Sequence, residues 1–596
     1  MNKLSLTQIL LFILLLGFAI LVIALAKLQI IDGGQYTEYA ENNYIKKRRL
    51  DANRGEIYDR NGLPIAQNYP AINLAIVPGF IEDKDSLKTF LSTFIDVSDE
   101  DIDNFLYETR FRQFQENIFS YNLKEKQVAK IAEHINFFPE LRFVISNTRK
   151  YHIPNHFTGY IGRINQQEYA ILKDQDYHYN SYLGKTGIEK QYEAILKGVD
   201  GVKLDLVNAK GRNLDLFRGI SNNRDVINIE PINGMDLNLT IDLKLQQMID
   251  DTFPPDLNGA VVVMNYENGE VLAYVSRPEF DQNIFMSKIP TTVWDSIRSN
   301  PSQPFLDRVS KAVYPPGSVF KILTAGYGLE NKIVNRWTKL SYCDGGMQIG
   351  NRYVKCWNHF GHGSLNVIDA LKVSCDVYFY DLSFRMDLDN FCYFVKDSML
   401  SEKTGIDIPD EAKGFFPTTQ WYIDAYGKYV SIRGQMVNLS IGQGEMYMTP
   451  LQICALYAGI ANDGLWIKPH LLKKASRGQE ILTFDDFMQN REIKLPFSDE
   501  NIAIIQESLR KVITNYDGTA HSINRPNRNI YGKTGSAEHK VGSVTHAWFS
   551  GYDKDTKIAI SVFVQEGGGG GSVAAPIAGQ VFDFYYNYLG NNNAKN

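Results

Sequence analysis

Ser318, Ser374 and Lys533 lie in three short motifs whose residue types are those of acyl transfer to a serine. In the first, Tyr314-Pro315-Pro316-Gly317-Ser318-Val319-Phe320-Lys321, proline and glycine break the preceding structure, and the apolar run from Val319 to Leu329 continues as a helix. Ser318 therefore opens that helix, and Lys321 follows at i+3 on the same face. An amine that loses its proton through desolvation and neighbouring positive charge can take the hydroxyl proton there. The helix N-terminus adds partial positive charge where an oxyanion grows. The second motif, Ser374-Cys375-Asp376, offers a hydroxyl that can relay a proton and a carboxylate that can hold an ammonium or a substrate amide. The third, Lys533-Thr534-Gly535-Ser536, precedes a strand-like run from Thr545 to Tyr552, and its glycine lets a peptide-like substrate lie against the backbone. A lone S-x-x-K or K-T-G arises by chance in 596 residues, but three motifs in this order behind Pro-Pro-Gly are much rarer.

Cysteine usage points to a second kind of chemistry. Three of the five cysteines, Cys343, Cys356 and Cys375, share one window with His362. The spacing C-x12-C-x5-H-x12-C is not a common finger pattern. Three thiolates and an imidazole nevertheless suit tetrahedral Zn²⁺, and four protein ligands leave no open position, so such a metal is structural. A disulfide and free thiols are the competing readings, since cysteines pair in an oxidising compartment. Cys375 argues against pairing, because a disulfide between two candidate catalytic residues constrains the site. His359 is the reserve ligand should His362 point away.

These residues need scaffolds. With 44% hydrophobic content the chain can bury more than one core and divides into domains, and its net charge of -6 gives no electrostatic case for nucleic acid. Ile9 to Ala26 carries no charge, and a helix extended to Ile31 crosses the ~30 Å hydrocarbon core of a bilayer, so 9–31 reads as a single transmembrane anchor behind a short N-terminal segment, 1–8. A cleaved signal peptide is the alternative, Ala24-Leu25-Ala26 resembling a cleavage site, although the apolar run is long for that role. The basic run Lys46-Lys47-Arg48-Arg49 reads as a solvated linker rather than a lipid-headgroup contact. Arg54 to Gly62 reads as a strand entering an Asn-Gly turn, with Pro64 placing it at a sheet edge. Helical spacing from Asp83 to Glu133, then a strand-like Leu141 to Ser146, describes a small α/β head over about 80–150 within an elongated domain, 32–235. Lys185-Thr186-Gly187 repeats the tripeptide of the third motif, but it precedes Ser318 and leads into a helix-like Ile188 to Leu196, so it is structural. In 236–596, strands at Gly259 to Asn265 and Glu270 to Ser276 flank an Asn268-Gly269 turn, and a helical middle carries the first two motifs. Strands return at Asn529 to Ser536, Thr545 to Tyr552 and Lys557 to Gln565 before a helix from Val573 to Tyr588. The fold class is multidomain α+β, its last domain an antiparallel sheet with helices on its faces. The five-glycine run from Gly567 reads as a tight passage at the site edge rather than an inert linker.

The three motifs resemble the signature of the penicillin-binding protein and serine β-lactamase superfamily. Thr240-Ile241-Asp242, Ser440-Ile441-Gly442-Gln443-Gly444, Thr449-Pro450, His546-Ala547-Trp548-Phe549 and Gly567 to Gly571 with Ser572-Val573-Ala574-Ala575-Pro576 are similar to the class B, monofunctional transpeptidases. Asp376, with Gly361-His362-Gly363 upstream, is most similar to their elongation group. The resemblance implies an anchored enzyme working outside the plasma membrane, in the periplasm, that crosslinks peptidoglycan stem peptides and is acylated by β-lactam antibiotics. Ser318 would attack the penultimate D-Ala carbonyl, Lys321 would be held neutral by surrounding charges to take its proton, and Ser374 would return one to the departing D-Ala. Lys533, Thr534, Gly535 and Ser536 would grip the donor, and backbone N–H groups of Ser318 and Ser536 would form the oxyanion hole. Some members of the elongation group bind zinc at positions matching Cys356, His362 and Cys375, while Cys343 is assigned from its spacing alone. No second long apolar segment is present, so the implied partner is a separate membrane glycosyltransferase resembling RodA. Two other classes stay open: a β-lactam-hydrolysing enzyme or D,D-carboxypeptidase of the same fold, and a non-catalytic β-lactam sensor or scaffold.

Overall fold

The computed structural model describes residues 6–31, 45–95, 97–114, 116–178, 181–206, 229–286, 289, 291–488, 491–539 and 542–593. Contacts divide the chain into two compact units, Met1–Arg54 with Lys197–Gly234 and Gly55–Leu196 with Met235–Asn596.

In the first unit Leu6–Ala26 is an α-helix whose backbone continues as one π-helical turn, Lys27–Ile31. Its 21 residues rise about 32 Å at 1.5 Å each, enough to cross a bilayer. Apolar side chains are exposed on every side of it, among them Phe12 and Leu14, as suits a helix solvated by lipid. The basic run is not the linker expected. It lies in the strand Ile45–Leu50, paired antiparallel with Gly201–Leu206, a partner 150 residues away in sequence that composition cannot reveal. Arg49 answers Asp51 at 2.9 Å and Asp200 at 2.5 Å beside that ladder.

The second unit holds two large sheets. One is five-stranded and antiparallel, in the order Val271–Arg277, Gly259–Asn265, Ile558–Val564, His546–Asp553, Ile530–Ala537. Its inner strands are buried at every residue but the half-buried Asn265 because both faces are covered. The helices Leu243–Thr252 and Ala575–Asn593 close one face through Leu245, Ile249, Val581 and Phe582. The helix Pro450–Ala461, buried on all sides, lies against the other. Thr449 caps it by accepting from Gln452 N, and Pro450 occupies the first turn, where a missing N–H costs nothing. The edge strand Ile530–Ala537 carries Lys533 to Ser536.

The second sheet has seven strands and joins residues on both sides of position 235. Glu480–Thr483, Leu472–Arg477, Asp236–Leu239, Ile57–Tyr58, Pro64–Ile76 and Asn117–Ser120 lie in that order, with Leu141–Tyr151 also on Pro64–Ile76. Pro64 is therefore not at a sheet edge. Its strand is interior, pairing with Ile57–Tyr58 and Leu141–Tyr151, and proline is tolerated there as the first strand residue. The Asn61-Gly62 turn is as expected: Asp59, fully buried, accepts from Asn61 N and Leu63 N at 2.8 Å. The head is α/β, its helices Lys84–Phe94, Asp99–Glu108 and Glu125–His134 packing Leu87, Leu91, Ile102 and Ile131 into a core of their own. Lys185-Thr186-Gly187 leads into the short helices Gly187–Gln191 and Glu193–Leu196, in keeping with a structural role.

Arg149 braces this region. Its guanidinium donates to Glu189 Oε1 at 2.8 Å, Gly55 O at 2.8 Å and Asn68 Oδ1 at 3.1 Å, with both charged side chains wholly buried. Glu189→Ala leaves that cation buried without its counter-ion, so we expect destabilisation of about 3–5 kcal/mol by thermal unfolding. A change under about 1 kcal/mol would remove the pair from the supports of the fold.

Candidate active site

The first motif forms a 3₁₀ turn, Gly317–Phe320, running into the α-helix Lys321–Glu330. Distant segments pin this turn from several sides. Gly317 N donates to Gly442 O at 2.9 Å, Tyr457 Oη to Val319 O at 2.9 Å, and Trp548 Nε1 to Pro315 O at 3.1 Å. Thr324 Oγ1, one turn on, reaches Ser440 O at 2.8 Å. The three motifs meet here: Ser318, Ser374, Asp376, Thr534, Gly535 and Ser536 line one cavity of about 1110 Å³.

Lys321 and Lys533 lie wholly buried behind that wall. Lys321 Nζ donates to Asp376 Oδ1 at 2.7 Å, to Ser374 O at 2.9 Å and to Ser374 Oγ at 3.2 Å. Asp376 thus holds the ammonium of the first motif. Lys533 is buried in the field of that cation. Burial first, and the Lys321 charge second, push Lys533 well below the usual lysine range, with Asp376 pulling the other way. Its Nζ donates to Thr534 O at 2.9 Å. Ser374 takes a left-handed backbone (φ 56), a strained conformation for a residue with a side chain, and the bonds to Lys321 stabilise it.

The segment behind Ser374 carries the cysteine cluster. One ligand atom each from Cys343, Cys356, His362 and Cys375 lie within 4.8 Å of one another, and all four cluster residues except the half-buried His362 are buried. His362 Nδ1 faces Cys343 Sγ at 3.7 Å and Cys356 Sγ at 3.5 Å. The five cysteines are free. Backbone bonds assemble the cluster: Cys356 N to Gly345 O, Cys343 N to Gly363 O and His362 N to Cys343 O, at 2.9, 2.9 and 3.0 Å. A Cβ on Gly361 would lie 2.3 Å from Cys343 O, which explains the glycine before His362. Hydrogen bonding to Cys375 draws the Cys356 thiol far down and drives that of Cys375 up, while burial raises Cys343. His359, the reserve ligand, lines the cavity instead.

Several residues here were missed from sequence. Trp357 donates its backbone N–H to Asp376 Oδ2 at 2.9 Å and its indole N–H to Val373 O and Ser374 O at 3.1 Å, tying the cluster to the second motif. Thr519 accepts from Thr534 Oγ1 at 2.7 Å. Neither stands in a pattern that marks it. Gln443 does, within Ser440 to Gly444; with its amide turned to satisfy both ends, it accepts from Glu538 N at 3.1 Å and donates to Glu538 O at 3.2 Å. The glycine run is the tight passage expected, since a Cβ on Gly570 would lie 2.3 Å from both Gly535 O and Trp548 O.

Residues 259–583 match the penicillin binding protein transpeptidase domain and residues 49–239 the penicillin-binding protein dimerisation domain. The chain belongs to the class B penicillin-binding proteins. It is 32% identical to the peptidoglycan D,D-transpeptidase MrdA of Acinetobacter baumannii over 94% of this chain and 84% of that one. Penicillin-binding protein 2 of Helicobacter pylori, solved in complex with MreC, superposes with a TM-score of 0.75 at 26% identity, covering 91% of this chain and 99% of that one. A chain from a peptidoglycan synthase complex that coordinates polymerization and crosslinking gives 0.70 at 26%, covering 98% of each. These relatives place this penicillin-binding protein in the penicillin-binding protein 2 group, and it is a serine-type peptidoglycan D,D-transpeptidase.

Lys533 yields a prediction with a definite sign. Its folded pKa lies below the ordinary 10.5, so the folded state binds fewer protons and this residue's contribution to stability rises with pH toward 10.5. Lys533→Met should raise Tm at pH 7, by an amount that shrinks between pH 7 and pH 10, while benzylpenicillin acylation falls. A lower Tm at pH 7 would contradict the reading.

Proposed function

We propose that Ser318 is the acyl-carrying nucleophile of peptidoglycan crosslinking during cell-wall elongation. The observation that carries this is the convergence of Ser318, Ser374, Asp376 and Thr534 to Ser536 on one cavity, with the Lys321 amine bonded to Ser374 and Asp376 of the second motif. Once the Lys321 ammonium held by Asp376 has given up a proton, the free amine takes the Ser318 proton as the hydroxyl attacks the penultimate D-Ala carbonyl of a stem peptide. Backbone N–H groups of Ser318 and Ser536 receive the oxyanion. Ser374 Oγ, 3.2 Å from Lys321 Nζ, passes that proton to the departing D-Ala. An amine of a neighbouring stem peptide then attacks the acyl-enzyme, forming the crosslink and releasing Ser318. Lys533, Thr534, Gly535 and Ser536 hold the acyl donor along the strand edge.

Cys343, Cys356, His362 and Cys375 would hold a structural Zn²⁺. A tetrahedral ion with Zn–S about 2.3 Å and Zn–N about 2.0–2.1 Å sets its sulfur and nitrogen ligands about 3.6 Å apart. The sulfur–nitrogen separations of 3.7 and 3.5 Å fit this. The metal would supply charge that keeps three thiolates together and fixes the loop bearing Ser374 and Asp376. Zinc analysis of protein purified without chelator should return close to one equivalent, and less than about half would sink the assignment.

The apolar N-terminal helix supports a single-pass inner-membrane anchor with the bulk of the chain in the periplasm. A membrane glycosyltransferase resembling RodA is the proposed partner, on the strength of the relative in the synthase complex. An MreC-like protein is a second, by analogy with the Helicobacter pylori complex.

Intact-protein mass spectrometry with benzylpenicillin tests the nucleophile. We expect one stable adduct that Ser318→Ala abolishes. An adduct persisting in the variant would overturn the assignment, and rapid return to the free mass with hydrolysed drug would favour a β-lactam hydrolase. Lys321→Ala should slow acylation by the ~10² to 10⁴-fold of a missing general base. Near-normal kinetics would remove Lys321 from that role.

A further inference from the structure

We propose that Glu445 is the acceptor-binding residue of this enzyme, a carboxylate that collects the cationic amine of the second stem peptide and aims it at the acyl-enzyme. The proposal rests on Ser318 being the acyl carrier.

The segment bearing Glu445 is clamped to the nucleophile's own segment on both sides. Before it, Gly317 N donates to Gly442 O at 2.9 Å; after it, Tyr314 and Met448 exchange backbone bonds of 2.9 Å in both directions. Gln443 adds a tie to Glu538, the residue next but one after Ser536. Glu445 is therefore held to the wall of the cavity into which Ser318 opens, and it lines that cavity.

Its carboxylate is also fixed in orientation. Tyr422 Oη donates to Oε2 and Tyr426 Oη to Oε1, each at 2.8 Å, from successive turns of the helix Thr419–Tyr426. Tyr422 is wholly buried, and its phenol is raised by burial first and by Glu445 second. The Tyr426 phenol is raised by its hydrogen bond to the same carboxylate. Both oxygens are thereby held by phenols, neither of which brings a positive charge.

Three carboxylates line the cavity, Asp376, Glu445 and Glu538. Asp376 is committed to Lys321 and Trp357. Glu538 is exposed and tied to Gln443 only through its backbone. Among the described residues the hydrogen-bonding partners of the Glu445 carboxylate are the two phenols, and no lysine or arginine forms an ion pair with it. A carboxylate held at the wall of this cavity recognises a cation, and the cation this reaction brings is the acceptor ammonium.

The proton balance closes. The ammonium docks, releases one proton to solvent and attacks as the free amine. As its nitrogen bonds to the acyl carbon and the bond from that carbon to Ser318 Oγ breaks, the amine's second proton passes through Lys321 and Ser374 to Ser318.

Partitioning of the acyl-enzyme tests this. The purified full-length protein is acylated with a D-Ala-D-Ala-terminated donor peptide, and a D-amino acid is supplied as acceptor amine while exchange product and hydrolysis product are both counted. The ratio is read on acyl-enzyme already formed, and a Ser318 adduct seen by mass spectrometry in the same samples tests the underlying reading separately. Losing one charge-assisted hydrogen bond should cut the exchange-to-hydrolysis ratio about tenfold in Glu445→Gln, through a raised KM for the acceptor. Tyr422→Phe should move the ratio the same way by less, and Glu445→Asp should recover part of it. A ratio unchanged in both Glu445→Gln and Tyr422→Phe would overturn the proposal, as would a fall in the rate of exchange at saturating acceptor with KM unaltered.

Discussion

The buried bond between Lys321 and Asp376 is the constraint on which the catalytic region depends. A cation without water needs a counter-ion, and losing either partner leaves a charge that the interior cannot solvate. Meeting that need fixes three further things. The helix Lys321–Glu330 is set against the helix that begins at Asp376. Ser374 is drawn into a backbone conformation that it would not choose alone. The remaining oxygen of Asp376 faces the Trp357 amide, which extends the constraint into the cysteine-bearing loop. Lys533 pays for this order, being buried close to Lys321 with the one nearby carboxylate already taken.

Much of the catalytic half was legible in the sequence because its signals are local. Alternating and apolar runs bounded by glycine and asparagine marked four of the five strands of the central sheet to within a few residues, and the fifth followed from its motif. Ser318, Ser374 and Lys533 were visible as motifs because each sits at the start or edge of an element, where spacing along the chain and position in space coincide. The cysteine window was visible for the same reason, although only the fold shows that its four donors meet.

Residues defined by pairing across long separations were not legible. The basic run looked like linker because its strand partner lies some 150 residues on, and Pro64 looked like an edge because nothing local announces a neighbour on its far side. Trp357 and Thr519 matter through single hydrogen bonds to motif residues, and a single bond leaves no periodicity. The roles of the two lysines also eluded a local reading. Which amine is paired and which is pushed toward neutrality depends on where one carboxylate points, and that is set by helices 50 residues apart.

The sheet that mixes strands from residues 57–151 with strands from residues 236–239 and 472–483 has a mechanical consequence. The ladder between the two halves is short, Ile57 and Tyr58 pairing in parallel with Leu237 and Asn238, so load passing from the head toward the catalytic domain concentrates on these residues. Displacement of the head would be felt first at Asp236–Leu239. Thr240, two bonds deep in the backbone of the Val271–Arg277 strand and His470, is the next link in that line. Force applied by a neighbour at the head thus has a continuous hydrogen-bonded path toward the sheet whose far edge holds Lys533.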